Sequence, residues 1–407
     1  MIPKGSQQAS GKSAPTKTKP KQDSEFIVAV RAPGQKDAEW NGYQGWTSVR
    51  LTTGIESCPG DFDISATDAF PNSATEALIV PGMECCIYIG KQIVLTGYVD
   101  RVSYTISGSN HDVRIVGRSK CADIVDCSAE FTTFQMINAN TLQLAQSLCA
   151  PFGINVYAIG DIDNSQVPQF DVILSETPYD IIERVARYMA LLAYDDHNGD
   201  LILSRVGSLK MSSGFKQGVN VQAAWSELSM DQRYSVVECV LLSVDTLFTD
   251  PDDPDSPTAA QSLADDLCPG AIAHDTGVPR LRPLIIVAEQ GDLYYQVAQQ
   301  RCLWEVSRRW GRSQAIRVIC DSWFDSDGNL WQKNALAPVD IPAVKISGVQ
   351  WVIGSVTYLR DEQGTRADLT LMPPEAFLPE PIILQPYASP VYQATNPVGA
   401  ANNGQSN

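Results

Sequence analysis

Histidine is the side chain that most often moves protons near neutral pH, and this chain of 407 residues contains only three: His111, His197 and His274. The first two lie in or beside predicted turns, so a Ser/His/Asp or Cys/His catalytic set has little to draw on. Three acids near His197 are of a metal-ligating type, but they surround a predicted hairpin turn, where polar residues are common; they are Asp195, Asp196 and Asp200. We expect no catalytic residue and no metal site here.

Other acidic groups have structural interpretations. The segment Asp325-Ser-Asp327-Gly328-Asn329 resembles the start of a calcium loop. The Glu that completes an EF-hand loop is missing, however, and the flanks are typical of strands, which favours a tight turn. Asp61 and Asp63 alternate with apolar residues, so both carboxylates are expected on the solvent face of one strand rather than across a cleft, as in a glycosidase.

Aromatic and basic clusters indicate packing. Five tryptophans fall in β-patterned segments, where they fill cores or interfaces more often than they form a sugar-binding platform; they are Trp40, Trp46, Trp323, Trp331 and Trp351. Arg308, Arg309 and Arg312 end a predicted helix, and we expect them to complement its C-terminus or to pair with acids of a neighbouring subunit, with phosphate binding as an alternative. The ten cysteines contain no C-x-x-C and no zinc-like cluster, so they are expected to be reduced, and no cofactor is indicated.

Composition is typical of a folded, weakly charged protein with large contact surfaces. Hydrophobic residues make up 44% and charged residues 19%, and 407 residues exceed what one core usually holds, so at least two domains are expected. The net charge of −17 argues against binding to phosphates, although residues 1–22 carry five lysines and no acid. Neither a signal peptide nor a membrane-spanning segment is indicated, which predicts synthesis in a reducing cytoplasm.

One β-pattern occurs twice. In each copy a short strand ends in a glycine, a second strand contains a glycine, and a turn leads to a return strand that begins with Asp. The copies consist of strands 87–90, 93–99 and 112–116, with a turn at 107–110, and of strands 344–348, 351–358 and 368–372, with a turn at 361–364. Matching Gly90 to Gly348 places them 258 residues apart (348 − 90). A duplicated β-domain is predicted.

Between the copies the apolar spacing changes to that of helices, at 141–148 and 179–189, and Thr177 before Pro178 is a suitable N-cap. Asn198-Gly199 predicts a hairpin within 192–204. Further along, the sequence predicts strands at 219–228 and 235–244, an exposed acidic loop at 249–258, and a long helix from Asp292.

These patterns predict a mainly β chain with α+β insertions, composed of two similar small β-barrel domains and a small α/β module. The expected organisation is a disordered basic leader at 1–23, a first barrel at 24–118, the α/β module at 119–207, a second barrel made of 208–250 and 312–373, an acidic loop and long helix inserted at 251–311, and a tail at 374–407.

Three segments carry a family resemblance: VLTGYVDRVSYTISGSNHDVRIVGRSKCADIVDCSA at 94–129, DGNLWQKN at 327–334 and TLMPPEAFLPEP at 370–381. On these residues the chain resembles the baseplate hub proteins of Mu-like contractile-tailed phages. The resemblance implies a fold similar to the hub of T4-like phages and of type VI secretion spikes, with two tail-tube-like barrels per subunit in a homotrimeric, pseudo-hexameric ring. It implies no catalytic residue.

The resemblance also implies a structural role without enzyme activity. Such a hub joins the tail tube or tube-initiator protein to the central membrane-piercing spike, contacts other baseplate proteins, and leaves a channel through which DNA passes without specific binding. It would lie in the tail baseplate of the virion after synthesis in the bacterial host cytoplasm, and we expect its channel wall to be neutral or acidic. Two alternatives stay open: the hub of a tailocin or type VI-like secretion apparatus, and a cell-wall-binding or hydrolytic tail protein with its binding unit at 178–204.

Overall fold

The computed structural model describes residues 25–34, 39–67, 79–107, 111–130, 135–160, 162, 166–171, 173, 175–241, 269–288 and 294–380. The first seven strands are β1 (Phe26–Arg31), β2 (Asn41–Tyr43), β3 (Ser48–Gly54), β4 (Asp61–Thr67), β5 (Glu84–Ile89), β6 (Gln92–Ile106) and β7 (His111–Ser119). The strands expected for the first copy of the β-pattern, at 87–90, 93–99 and 112–116, fall on β5, β6 and β7.

An α/β module follows, with the elements α1 (Ala122–Asp126), β8 (Gln135–Asn140), α2 (Thr141–Cys149), β9 (Val156–Ile159), β10 (Gln166–Asp171), α3 (Pro178–Tyr188), β11 (Leu192–Asp195) and β12 (Leu201–Ser204). Both expected helices are confirmed. The α3 N-terminus is a capping box, because the Thr177 side chain accepts from the Asp180 backbone N–H and the Asp180 carboxylate accepts from the Thr177 backbone N–H. The expected hairpin is confirmed as the antiparallel pair β11 and β12.

The remaining elements are β13 (Leu209–Lys210), β14 (Phe215–Lys216), β15 (Val221–Leu228), β16 (Val236–Leu241), β17 (Pro269–His274), β18 (Pro283–Ala288), α4 (Tyr294–Arg312), β19 (Gln314–Cys320), β20 (Ala335–Ile341), β21 (Ile346–Asp361) and β22 (Gly364–Met372). Short 3-10 turns occupy Ala150–Phe152, Pro342–Val344 and Pro374–Phe377.

Fourteen strands of the described chain form one sheet. Its order is β15-β19-β22-β21-β3-β4-β7-β6-β5-β1-β2, with β20 beside β21 and the short β13 and β14 beside β20. The described strands therefore do not form two separate closed barrels, because β3 of the first half pairs with β21 of the second. The cause is strand length: β21 has 16 residues, and β20 pairs only with its N-terminal part, which leaves the C-terminal part of that edge to β3.

The two halves of this sheet share one strand order. The order β3-β4-β7-β6-β5 in the first half corresponds to β15-β19-β22-β21-β20 in the second. Val99 opposite Gly117 corresponds to Ile353 opposite Leu371, and a β-bulge follows Val99 and Ile353 alike. The offset is 254 residues (353 − 99), not 258. The duplication is confirmed as a duplicated topology, with a correction of its register.

The first strand of the second copy also needs correction. The sequence predicts this strand at 344–348. In the structure the strand equivalent to β5 is β20, and the 3-10 turn and the start of β21 follow it. Gly348, with φ of 67°, lies within β21, whereas Gly90 lies in the turn between β5 and β6. Gly90 also has a positive φ, of 58°, so the two glycines share a backbone conformation, but they lie at different places in the repeated strands and are not equivalent positions.

A separate sheet of order β17-β16-β18 is inserted between β15 and β19. The sequence assigned 235–244 to the second barrel, but β16 pairs with β17 and β18 instead, and these two strands lie in a stretch expected to hold only a loop and a helix. Buried Val237 and Cys239 of β16 pack in one cluster with Ala298 and Cys302 of α4. Alternation within a strand shows that one face is buried and does not show which element covers it.

The main hydrophobic core spans both halves of the large sheet. Phe26 of the first half lies edge-on to Trp323 of the second, with ring centroids 6.2 Å apart, and Trp323 lies edge-on to Tyr358 at 6.3 Å. A second core fills the α/β module, and a third joins β11 and β12 to Val352 and Phe377. Burial of Phe377 at 2% exposure corrects the expected tail, because residues 374–380 pack onto the fold.

Several expectations concern residues outside the described ranges. They are the basic leader at 1–23, the acidic segment at 249–258, the tail from 381, and most of the turn at 107–110.

Candidate functional site

The acidic cluster of the β11–β12 hairpin is used within the protein. The Asp196 carboxylate accepts hydrogen bonds from the backbone N–H groups of Asn198 and Asp200, both at 2.8 Å, and from the Tyr157 hydroxyl at 2.8 Å. Asp200 accepts from the Asn155 backbone N–H at 3.1 Å. The carboxylate oxygens of Asp196 and Asp200 therefore stabilise the turn, as the sequence predicted. Across the described ranges, no group of three or more His, Cys, Asp or Glu side chains is placed to hold a metal ion.

Asp195 has a different position, at a junction of three parts of the chain. Its side chain is 3% exposed and lies 2.5 Å from the Lys333 ammonium, measured from Oδ1 to Nζ. Its other oxygen accepts from the Gly60 backbone N–H at 2.8 Å, and the Asp195 carboxylate also accepts from the Ser119 side chain. Burial alone would raise the pKa of Asp195, but the Lys333 charge and these hydrogen bonds hold that pKa below its ordinary value. One carboxylate thus ties the α/β module to both halves of the large sheet.

Asn334 forms the second tie at this junction. It is fully buried with φ of 60°. Its amide nitrogen lies 3.0 Å from the Tyr194 hydroxyl and 2.9 Å from Ser204 Oγ, and its Oδ1 accepts from the Gly207 backbone N–H at 2.7 Å. Asn tolerates the left-handed conformation better than most residues. The sequence of the DGNLWQKN segment indicated only a family resemblance. It did not predict that Asn334 holds this junction together, because the hydrogen-bond partners of Asn334 lie more than 100 residues away.

A cavity of about 560 Å³ lies beside this junction, lined by residues from both sheet halves and the module that include Lys91, Tyr157, Tyr194, Trp331 and Lys333. The Lys333 ammonium lies 5.3 Å from the centre of the Tyr194 ring, a cation–π distance. The cavity walls come from three units of the chain, so its shape depends on how they are held together.

The calcium-like segment is a tight turn, as expected. Asp325 Oδ1 accepts from the backbone N–H groups of Asp327 at 3.0 Å and Asn329 at 2.8 Å. The Ser212 hydroxyl donates to Oδ2. Burial would raise the pKa of Asp325, but these hydrogen bonds lower it below the ordinary value. The carboxylate is accordingly held as a turn-forming acceptor.

The Asp61 and Asp63 side chains lie on the solvent face of β4 and pair with arginines of neighbouring strands. Arg50 of β3 lies 2.7 Å from Asp61, and Arg114 of β7 donates to Asp63 at 2.8 Å. The hydrogen bond from Arg114 lowers the pKa of Asp63. At the equivalent place in the second half, 254 residues later, the signs are reversed: Arg317 of β19 donates to Asp368 of β22 at 2.8 Å.

The tryptophans and helix-end arginines also have partners within the chain. Trp323, Trp331 and Trp351 are buried and Trp46 packs against the same core, which confirms packing for four of the five. Trp40 is 40% exposed and lies against the Arg31 guanidinium. Within the chain these arginines pair with acids: Arg308 donates to Glu56 at 3.1 Å and Arg309 donates to Glu305 at 2.7 Å.

Comparison with known proteins places these features in a family. Family models match residues 121–205 ("Baseplate hub protein gp44-like, second domain"), 37–119 ("Mu phage baseplate assembly protein GpP-like, N-terminal") and 295–380 ("Mu phage baseplate assembly protein GpP, fourth domain"). The "Baseplate hub protein gp44" of Escherichia phage Mu is 30% identical over 354 residues, covering 86% of this chain and 89% of that protein. The chain belongs to the gp44-like baseplate hub family.

Solved structures agree with the hub fold. The 43 kDa tail protein of prophage MuSo2 from Shewanella oneidensis is 29% identical, with a TM-score of 0.72 over 86% of this chain and 99% of that one. A type VI secretion system component of Escherichia coli is 8% identical, with a TM-score of 0.51 over 88% of this chain and 80% of that one, and shows the fold alone. Phage baseplate proteins are located in the tail of the virion. In the part of the hub protein that the structure describes, no helix is both long and apolar enough to cross a bilayer.

Proposed function

We propose that this hub protein forms a homotrimeric ring in which the two sheet halves of each chain act as tail-tube-like units. The observation that carries the proposal is the constant offset of 254 residues between their strand registers. Three copies of a doubled unit give six similar units around one axis. We propose 24–118 as the first unit, 119–207 as the α/β module, and 208–250 with 312–373 as the second unit. Strand β16 is excluded from the second unit because it belongs to the inserted sheet.

The ring would join the tail tube, or a tube-initiator protein, to the central spike and would contact other baseplate proteins. This role is mechanical and needs no catalytic residue, cofactor or metal. The candidate acids support it, because Asp195, Asp196 and Asp325 are each used in a junction or a turn. Synthesis in the host cytoplasm, followed by assembly into the tail, fits a chain whose described cysteines are free thiols.

A channel through such a ring must let DNA pass without holding it. The solvent face of the large sheet suits that task, because three of its arginines are paired with acids across strands: Arg114 with Asp63, Arg317 with Asp368, and Arg118 with Asp100 at 2.7 Å. Paired guanidinium groups attract phosphate less than unpaired ones. We propose that this face lines the channel, and that DNA passage is transient and independent of sequence.

One alternative keeps the same architecture. A tailocin or type VI-like apparatus also needs a hub but has no genome to pass. The similarity in fold to a type VI secretion component is the observation that supports this alternative. Genes for a capsid and a terminase beside the hub gene would indicate a phage, and their absence would indicate the alternative. The cell-wall-binding reading of residues 178–204 is less favoured, because this segment holds buried Ile181, Ile182 and Tyr194 in the cores of the module and junction.

Light scattering of the purified chain across a concentration series tests the ring. The expected species has three times the chain mass of 44.4 kDa. A species of any other stable subunit number would overturn the three-chain ring.

A further inference from the structure

The junction between the two halves within one chain is a strand pairing at a sheet edge. Six residues of β3 pair antiparallel with the C-terminal part of β21, from Gly54 opposite Ser355 to Val49 opposite Arg360. On the core side this junction buries Leu51 completely and leaves Tyr358 at 3% exposure. The pairing therefore satisfies two edges and hides apolar side chains at once.

The duplication supplies a second copy of both edges. β15 pairs with β19 as β3 pairs with β4, so β15 is the equivalent of β3. Residues 101–106 of β6 are the equivalent of 355–360 of β21, at the offset of 254. Among the described residues, β15 has no strand on its other side apart from a single bridge at Val221, and 101–106 pair only with β7.

Both of these edges expose large apolar side chains. Tyr104 and Ile106 of β6 are 57% and 80% exposed, and Leu228 of β15 is 60% exposed, all on the side that the internal junction buries; Trp225, 53% exposed, lies on the opposite face beside the Arg317 guanidinium. Tyr104 is the equivalent of Tyr358, which the internal junction buries to 3%. The same structural position is thus covered in one half of the chain and uncovered in the other.

We propose that β15 of one copy pairs antiparallel with residues 101–106 of β6 in a second copy, in the register of the internal junction. The inference rests on the proposed ring, in which three such seams would alternate with three internal junctions. The pairs would be Arg101 with Ser229, Val102 with Leu228, Ser103 with Glu227, Tyr104 with Ser226, Thr105 with Trp225 and Ile106 with Ala224.

The chemistry of this register is complementary. One face brings Val102 next to Leu228 and Ile106 next to Ala224, continuing the side on which the internal junction buries its apolar residues. The other face places the Arg101 guanidinium diagonal to the Glu227 carboxylate, and no like charges oppose each other. Strand addition at an edge gives affinity through main-chain hydrogen bonds, and side-chain pairs set the register. A slip by one residue would turn the apolar side chains to the charged face.

Cysteine cross-linking of the full chain tests the register. In a Cys127→Ser background, which removes an exposed thiol, the double variant Ser103→Cys with Glu227→Cys should give covalent dimers and trimers on mild oxidation, because directly opposed residues of antiparallel strands have Cβ atoms about 4.5–5.5 Å apart. The matched control is Ser103→Cys with Ser226→Cys, since Ser226 would point to the other face. Neither this control nor the single variants should give covalent dimers and trimers on oxidation.

Light scattering on the same samples separates the two proposals. A trimer that forms no 103–227 cross-link would overturn the seam and leave the ring standing. A monomer without the cross-link would overturn both. As a second measurement, Leu228→Asp should shift assembly to at least about tenfold higher concentration, because it places a carboxylate in the apolar face of the seam. The control Leu281→Asp, at 82% exposure in the inserted sheet region, should assemble normally. Equal assembly of the two variants would also overturn the seam.

Discussion

Lys333→Met is the most informative single change at the junction of the three units. Lys333 and Asp195 are 11% and 3% exposed, and their charged atoms are 2.5 Å apart. Methionine keeps much of the length and apolar surface of lysine but removes its charge. The variant would leave the Asp195 carboxylate buried with only the hydrogen bonds from Gly60 and Ser119.

The magnitude follows from burial. At 2.5 Å the attraction between unit charges is about 6–7 kcal/mol at an effective dielectric constant of about 20, and the desolvation of both groups offsets most of it. Removing one partner exposes that desolvation cost, so Lys333→Met should lower the free energy of unfolding by about 3–5 kcal/mol. The control Lys216→Met, on an exposed strand residue, should change it by less than about 0.5 kcal/mol.

Urea unfolding followed by tryptophan fluorescence suits this measurement, because Trp331 lines the same cavity as Lys333. The folded-state pKa of Asp195 lies below its ordinary value of 3.8, so its stabilising contribution is complete above that value and is lost as the pH falls through the folded-state pKa. In Lys333→Met, burial without the lysine charge should raise the Asp195 pKa above its ordinary value, so the difference in unfolding free energy between the parent protein and the variant should narrow as the pH falls through that raised pKa and should be smallest in acid.

A double-mutant cycle decides whether the two side chains act on each other. Adding Asp195→Asn to Lys333→Met should recover part of the loss, giving an interaction energy of about 1–3 kcal/mol. An interaction energy below about 0.5 kcal/mol, or a gap that does not change on acidification, would refute the reasoning.

Three further predictions concern other parts of the fold. Asn334→Ala should lower the free energy of unfolding in urea by about 2–4 kcal/mol, because alanine loses the buried amide bonds and is strained at φ of 60°. Gly311→Ala should also destabilise, opposite to the gain of about 1 kcal/mol usual in a helix, because the new Cβ would lie 2.4 Å from the Ala376 backbone nitrogen; an increase in the urea midpoint would contradict this. Asp63→Asn with Asp368→Asn should raise affinity for duplex DNA at low salt, measured by fluorescence anisotropy, because both partner arginines lose their acids; unchanged affinity would count against pairing as the reason for weak retention.

Local signals were sufficient for the helices and hairpins. The capping box at Thr177, the Asn198-Gly199 turn and the alternation along β4 each depend on residues a few positions apart, and each led to the observed element. The repeat was also visible, since strand spacing is a local property. The sequence did not give the correct register of the repeat, because matching the glycines of the two copies leads to an offset of 258 instead of 254. A Cβ on Gly97 would meet the backbone of Arg118, whereas one on Gly354 would meet the Phe377 ring, so the two glycines answer different constraints.

The unpredicted features depend on partners distant in sequence. The pairing of β3 with β21 joins residues about 300 positions apart, and nothing in the β3 sequence distinguishes an edge that meets a second domain from one that faces solvent. The junction at Asp195 shows the same limit. Its sequence neighbours suggested a turn, which is correct for Asp196 and Asp200, while its own partner is Lys333, 138 residues away.

The reversed ion pair bears on how a ring of this protein could meet partners of different symmetry. The two halves share strand order and register, but Asp63 with Arg114 in the first half becomes Arg317 with Asp368 in the second. In the proposed ring, main-chain edges and strand directions would repeat six times, whereas the acidic and basic positions on β4 and β19 would alternate and repeat only three times. A partner that contacts the backbone would meet six similar sites, and a partner that reads side-chain charge would meet three. Both properties follow from a duplication that preserved strand register and pairing while exchanging the two members of the pair.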